Sequence, residues 1–526
     1  MTRKTGPATL RQWLNDGDEL ALLDVREPGQ FGEGHAFFAI NLPYSRLEAD
    51  APARLPRRDV RIVLIGADDA DDTHDGVAER AASRLQEAGY TDIHILEGGA
   101  AAWPQSGCAL FKGVNLPSKT FGELVEQVCH TPHLSAAELQ QRLQDKAPLL
   151  LVDGRTPAEH RKMAIPGALP VPNGELALRV PTLLADTQTP VVVHCAGRTR
   201  SIIGAQTLRH VGLPNPVIAL ENGTQGWRLA GLELEHDSPR EIPDVDLAAT
   251  HDARREGAHR YAQRAGVTFL DAAAAQAWLD DPTRSSYAFD IRTAAEYAAG
   301  TLPGAQHAPG GQLIQATDQY VAVRPARILV LDDEGIRAPI VAAWLSQLGF
   351  EAAVVEGGIH TDLRLPAITP TALPVSPTRA QASTLRELAQ AGVPVLDLRP
   401  SLAFRKEHLS GSPWTTRARV RQHTADTVVL IADDEVLAAL AARDLQEAGT
   451  KTVLLADWQT ALESGLPREA TPDSPSDAEA IDYLFFVHDR HDGNLDAARR
   501  YLEWETGLLA QCTEDELRVF KPLPQA

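Results

Sequence analysis

Cysteine is scarce in this chain: Cys108, Cys129, Cys195 and Cys512 are all that 526 residues contain. Four thiols this far apart make no disulfide framework and fit a reducing compartment. Basic residues are also in deficit, 50 against 71 acidic ones, leaving a net charge of −21. That balance argues against non-specific nucleic-acid binding and against attraction to an anionic membrane. An anionic substrate must therefore be captured by a local basic spot against an unfavourable overall field. No stretch of about 20 apolar residues occurs, so no membrane span is expected. No apolar signal core follows Met1, and the chain runs instead into an amphipathic pattern at Leu10, Trp13 and Leu14. The expected location is the cytoplasm.

What is present is ordinary for a soluble globular protein, 44% hydrophobic and 23% charged. The length is too great for one core and suggests three to five domains. An apolar strand ending in Asp-x-Arg recurs, at Asp24/Arg26, Asp153/Arg155, Asp290/Arg292 and Asp397/Arg399. A second apolar strand ends 42 residues after the Asp in the first three copies, at Gly66, Cys195 and Asp332, and 35 residues after it in the fourth, at Ala432. A helix and a Gly follow, and then a third strand ends in Glu97-Gly-Gly, Glu221-Asn-Gly, Glu356-Gly-Gly and a degraded Ala456-Asp-Trp. Repeats of this length read as tandem domains, and alternating strands and helices read as an α/β fold with a central parallel sheet flanked by helices. The expected domains are 1–115, 130–236, 262–370 and 375–470, with a charged linker at 237–261 and a small α/β tail at 476–526.

One copy carries a nucleophile. Val191-Val-Val-His reads as a buried strand, and the residues from Ser201 read as a helix closed by Gly212. Between them lie Cys195, Ala196, Gly197, Arg198, Thr199 and Arg200. Helix-start N–H groups and two guanidinium groups favour an anion. In such a setting a thiol pKa falls from about 8.5 to roughly 3.5–7.5. A drop of two units favours the thiolate by about 2.7 kcal/mol. The other three loops replace the thiol with acidic sequence: Gly66-Ala-Asp-Asp, Asp332-Asp-Glu and Ala432-Asp-Asp-Glu. They are expected to be catalytically silent, with one neighbouring domain walling the Cys195 pocket.

The Asp-x-Arg strand, the Ile165-Pro-Gly-Ala168 turn, the Cys195–Arg200 loop and the Glu-x-Gly strand end with a later Trp227 together resemble the rhodanese, or sulfurtransferase, family. The resemblance spans residues 5–470 in four copies and is most specific in the second. It implies a cysteine, Cys195, that takes a sulfane sulfur from a small anionic donor such as thiosulfate as a persulfide. Cyanide, a thiol or a protein acceptor then removes that sulfur. Ala196, Gly197, Arg198, Thr199 and Arg200 would cradle the sulfur, and no cofactor or metal is implied. Phosphatase relatives resemble a Cys-x5-Arg pattern, and here that Arg position is Ser201, which disfavours a phosphatase or arsenate reductase. Two-domain thiosulfate sulfurtransferases resemble one another in a substrate-binding Arg six residues after the Asp. Here that residue is Glu159, which shifts anion binding onto Arg198 and Arg200. The alternative reading is a non-catalytic sulfur carrier or interaction scaffold.

Other features read more plainly. Asp153, Arg155 and Glu221 have counterparts in copies without a cysteine, so a structural role is expected. Cys129, His130 and His133 lack the partners of a metal site. The Asp cluster at 68–75 reads as a solvated acidic loop. In the tail, Ile481–Val487 reads as a strand, followed by His488-Asp-Arg-His-Asp and a helix through Leu509. Those His and Asp residues suit either a metal or a hydrogen-bonded turn, with Asp492 or Asn494 as the helix cap. Tyr501 and Trp504 read as packing residues.

Overall fold

The computed structural model describes residues 3–67, 76–244, 251–368, 372, 374 and 376–525. The Asp cluster at 68–75 lies outside the described residues. Two compact units are present: one comprises 1–16, 20–114 and 368–486, the other 17–19, 115–367 and 487–526. Among the described residues no helix is long and apolar enough to cross a membrane.

The first unit holds the first and fourth copies. In the first, Arg3–Thr5, Ile93–Leu96, Arg61–Ile65, Leu20–Asp24 and Ile40–Asn41 lie side by side, all parallel. Leu20–Asp24 is buried at every position. The run needs no polar alternation because helices cover both faces of a parallel sheet. The fourth copy repeats the order with Thr378–Arg379, Thr452–Ala456, Thr427–Ile431 and Val395–Asp397.

The second unit holds the other two copies. His133–Leu134, Val217–Leu220, Val191–His194, Leu150–Asp153 and Leu169–Pro170 form one parallel sheet. Val152, Val193 and Leu208 pack on one face, and Leu151, Val192 and Trp227 on the other. Thr268–Leu270, Glu351–Val355, Arg327–Leu331, Ser286–Asp290 and Gln306–His307 form its counterpart.

The two recurring motifs have clear physical causes. In every copy the Arg forks onto its own Asp: Arg155 Nη2 donates to Asp153 Oδ2 at 2.7 Å and Arg26, Arg292 and Arg399 do the same at 2.6, 2.7 and 2.6 Å. The same guanidinium then reaches a carbonyl eight residues on, at Gly34, Met163, Gly300 and Glu407. The pair thus ties the strand end to the turn that follows, in copies with and without the loop cysteine alike.

The Glu-x-Gly motif serves close approach. Gly99, Gly223 and Gly358 all have positive φ, and a Cβ on each would lie 1.7, 2.2 and 1.9 Å from the carbonyl oxygen of Ala67, Cys195 and Asp332. In the second copy the next N–H, that of Thr224, donates to Cys195 O at 2.8 Å. The Glu221 side chain itself is exposed. Gly223→Ala is expected to destabilise the second unit by about 3 kcal/mol and to impair whatever Cys195 does, measured by thermal unfolding and activity together. Unchanged unfolding would show that the loop carbonyl can yield.

Two readings change here. Part of the expected linker is a 14-residue helix, His251–Arg264, which buries Ala258, Tyr261 and Ala262. Arg254 on it donates to Leu178 O at 2.6 Å. The segment 481–487 is not a strand. Its backbone bonds to a helix instead, Gly29 N–H donating to Ile481 O at 2.7 Å. A Cβ on Gly32 would lie 2.1 Å from Leu484 Cδ1. Leu484 and the backbone of Ile481 and Tyr483 dock on the Pro28–Glu33 helix, while the Phe485 and Phe486 rings lie under Arg405 and Lys112.

Candidate active site

Cys195 ends the Val191–His194 strand and is 2% exposed. The Thr199–His210 helix begins four residues later, two residues before its expected start. Ser201 Oγ donates to Cys195 Sγ at 3.2 Å. The carbonyls of Cys195 and Ala196 are engaged outward, by Thr224 N–H and by the N–H and Nε2 of Gln225. Below the loop, His194 Nδ1 lies 3.3 Å from Cys195 O, and its Nε2 lies 3.8 Å from Asp153 Oδ2. Burial lowers His194 to about 4 despite the opposing charge of Asp153. At neutral pH the imidazole is therefore uncharged and gives the thiol no cation.

Both loop arginines are already paired. Arg200 forks onto Glu159 at 2.8 and 2.7 Å. Arg198 forks onto Glu123 at 2.8 and 3.0 Å and also bonds Glu126, both from the Leu116–Cys129 helix. Thr199 Oγ1 donates to Glu505 Oε1 at 2.7 Å. Glu159, the acid at the position of the substrate-binding arginine of two-domain relatives, is thus the partner of Arg200, so the two charges cancel.

The third copy shows what such a loop holds. Asp332 occupies the position of Cys195, and its carboxylate accepts the N–H groups of Gly335, Ile336 and Ala338 at 3.1, 3.1 and 2.8 Å. Those residues correspond to Arg198, Thr199 and Ser201. Arg337, matching Arg200, forks onto Glu296 at 2.9 Å by both nitrogens, and Glu296 matches Glu159. Both glutamates also close a capping box, with Thr156 and Thr293. The Arg–Glu pair therefore belongs to the loop's scaffold.

The rhodanese-like domain family matches residues 6–106, 135–230 and 271–361, more than half of the chain. The chain belongs to the rhodanese family. A solved thiosulfate sulfurtransferase of Pseudomonas aeruginosa is similar over 99% of this chain and 100% of its own, at 39% identity and a TM-score of 0.87. The uncharacterized protein slr1261 of Synechocystis is 35% identical over 111 residues, 21% of this chain and 57% of that protein. A sulfurtransferase of Allochromatium vinosum is 34% identical over 101 residues, 19% of this chain and 92% of its own. The chain thus spans little more than half of the first of these two curated relatives. The fourth copy falls outside the matched residues and shares the rhodanese pattern through its parallel sheet and its Asp397–Arg399 pair.

Around the rhodanese loop lie Lys119, Glu123 and Glu505, which sequence reasoning missed, and Tyr501, which it read as packing. The expected wall around Cys195 was a neighbouring domain; the tail and the Leu116–Cys129 helix pack on its loop. Lys119 Nζ donates to Tyr501 OH at 2.8 Å and lies over the Tyr501 and Trp504 rings at 5.1 and 5.6 Å. Those rings hold a cation of the protein's own. The His488–Asp492 segment is a turn, Asp492 N–H donating to Asp489 O at 2.8 Å, and Asn494 caps the following helix through Ala497 N–H. Among the described residues no cluster of His, Cys, Asp and Glu is placed to hold a metal.

The Arg200 pair has a pH signature. Burial pushes the Glu159 carboxyl up, but the Arg200 hydrogen bonds and charge overcome that and hold it at about 2. A carboxylate with a depressed folded pKa stabilises the fold above its ordinary value of about 4.5 and loses that contribution as pH falls toward 2. Glu159→Gln is expected to remove this part of the acid dependence, read from melting temperature between pH 6 and 2. An identical slope in both proteins would refute it.

Proposed function

We propose that this protein is a sulfurtransferase whose Cys195 carries a sulfane sulfur as a persulfide. The Cys195 thiolate attacks the outer sulfur of a donor. With thiosulfate, the S–S bond of the donor breaks, sulfite leaves with the electron pair, and Cys195–S–S⁻ forms. Cyanide or a thiolate then attacks the outer sulfur, and the pair returns to Cys195 as thiolate. The observation that carries this reading is the loop itself. In the third copy the corresponding loop binds a carboxylate through three N–H groups, which supports a second-copy loop that holds an anionic sulfur on Cys195.

In this reading the N–H groups of the 196–201 segment cradle the sulfur, whereas Arg198 and Arg200, each already paired with carboxylates, hold the loop in shape. The first, third and fourth copies serve as silent packing domains. Treating the full chain with thiosulfate, mercaptopyruvate or glutathione persulfide is expected to add the mass of one sulfur atom. Cyanide or dithiothreitol should remove it. A chain that gains no sulfur from any of the three is not a sulfurtransferase of this kind.

A further inference from the structure

The Leu495–Thr506 helix lays a carboxylate against the Cys195 loop. Glu505 is 1% exposed, and only its Oε1 is engaged, by Thr199 Oγ1. Its Oε2 is buried with no hydrogen-bond partner among the described residues. A Cβ built on Gly197 would lie 3.0 Å from that free oxygen and 3.1 Å from Tyr501 Cε1. The unpartnered oxygen therefore faces the loop two residues from the nucleophile.

The guanidinium groups nearby are committed elsewhere. Arg198 is held by Glu123 and Glu126 and Arg200 by Glu159, while Lys119 donates to the uncharged Tyr501 hydroxyl and keeps its charge toward Glu505. Leaving a buried polar atom unpaired is costly, and more so when it is charged. Docking of the helix alone does not require that charge, because a glutamine would accept the same Thr199 hydrogen bond.

We infer that Glu505 determines specificity by charge, disfavouring donors in proportion to the negative charge they bring to the Cys195 loop. Sulfane donors of low charge, such as an organic thiosulfonate or persulfide, are then preferred over the inorganic dianion thiosulfate. The inference rests on the persulfide reading above. Two like charges several ångströms apart in a site of intermediate dielectric correspond to about a tenfold effect per unit of donor charge.

The test compares thiosulfate, a dianion, with methanethiosulfonate, a monoanion, on the full chain with cyanide as acceptor. Glu505→Gln is expected to raise kcat/KM about 100-fold for thiosulfate and about tenfold for methanethiosulfonate, mainly through KM. The ratio between the donors thus moves about tenfold. Glu505→Asp keeps the charge and should keep the wild-type ratio. Should Glu505→Gln fail to fold, Glu505→Ala must shift the ratio in the same direction. An unchanged ratio in the uncharged variants, with persulfide still forming on Cys195, overturns the charge role alone. Absence of persulfide from both donors, and from mercaptopyruvate and glutathione persulfide as well, in the wild-type chain overturns the sulfurtransferase reading beneath it.

Discussion

Cys195→Ser is expected to lower sulfane transfer by at least about 10³-fold and to abolish the mass gain of donor-treated protein. A serine hydroxyl is not ionised near neutral pH and does not attack a sulfane sulfur. The loop should survive the change, because the carbonyl of residue 195 still accepts from Thr224 N–H. The remaining cysteines cannot substitute. Cys129 donates its S–H to Leu523 O at 3.1 Å, and burial raises its pKa. Burial pushes Cys512 up to about 12. Cys108 is buried in the apolar core of the other unit. A thiol that stays protonated is a poor nucleophile. Intact mass and thiocyanate release together check the prediction, and a Cys195→Ser protein that still acquires a cyanide-labile sulfur would refute it.

What was legible in the sequence is what repeats. Leu22-Leu-Asp-Val-Arg26 and its counterparts announce a strand end because the Arg needs its Asp two residues away. Gly99, Gly223 and Gly358 recur because a loop carbonyl leaves no room for a Cβ. Local geometry of this kind spaces residues regularly, so it shows as a pattern. The charges of the loop do not. Arg198 and Arg200 look like donor-binding groups until Glu123, Glu126 and Glu159 arrive from 41 to 75 positions away. Glu505 arrives from 306 positions away. One clue to it existed. Ala497, Ala498, Tyr501, Leu502 and Glu505 share the buried face of one helix, and a glutamate at an apolar-face position asks for a partner. The misread strand at 481–487 failed for the opposite reason, since a short apolar run does not say whether it pairs as a strand or docks as a loop.

Arg417→Met is expected to cost the first unit about 3–5 kcal/mol, a melting drop of roughly 10 °C. Arg417 is fully buried and donates to Glu48 at 2.6 and 2.7 Å, to Asp444 at 3.1 Å and to Tyr44 O at 2.7 Å. Its guanidinium also lies 4.1 Å from the centre of the Tyr44 ring. Glu48 and Asp444 are themselves buried, and the remaining cation, Arg84, reaches both while also serving Glu447. Methionine replaces the stem but not the charge, so two carboxylates stay in a dry site with one guanidinium between them. Desolvation makes that far worse than loss of an exposed pair. Arg379→Met, which removes exposed bonds to Asp457 and Glu435, is the control and should shift stability by no more than about 0.5 kcal/mol. Calorimetry of the two variants side by side decides the matter. Equal melting temperatures would mean that the Arg417 cluster is hydrated or rearranges. Persulfide formation at 25 °C is expected to persist in Arg417→Met, because Cys195 belongs to the other unit and none of its contacts involves this cluster. A parallel loss of both properties would instead tie the first and fourth copies directly to the chemistry.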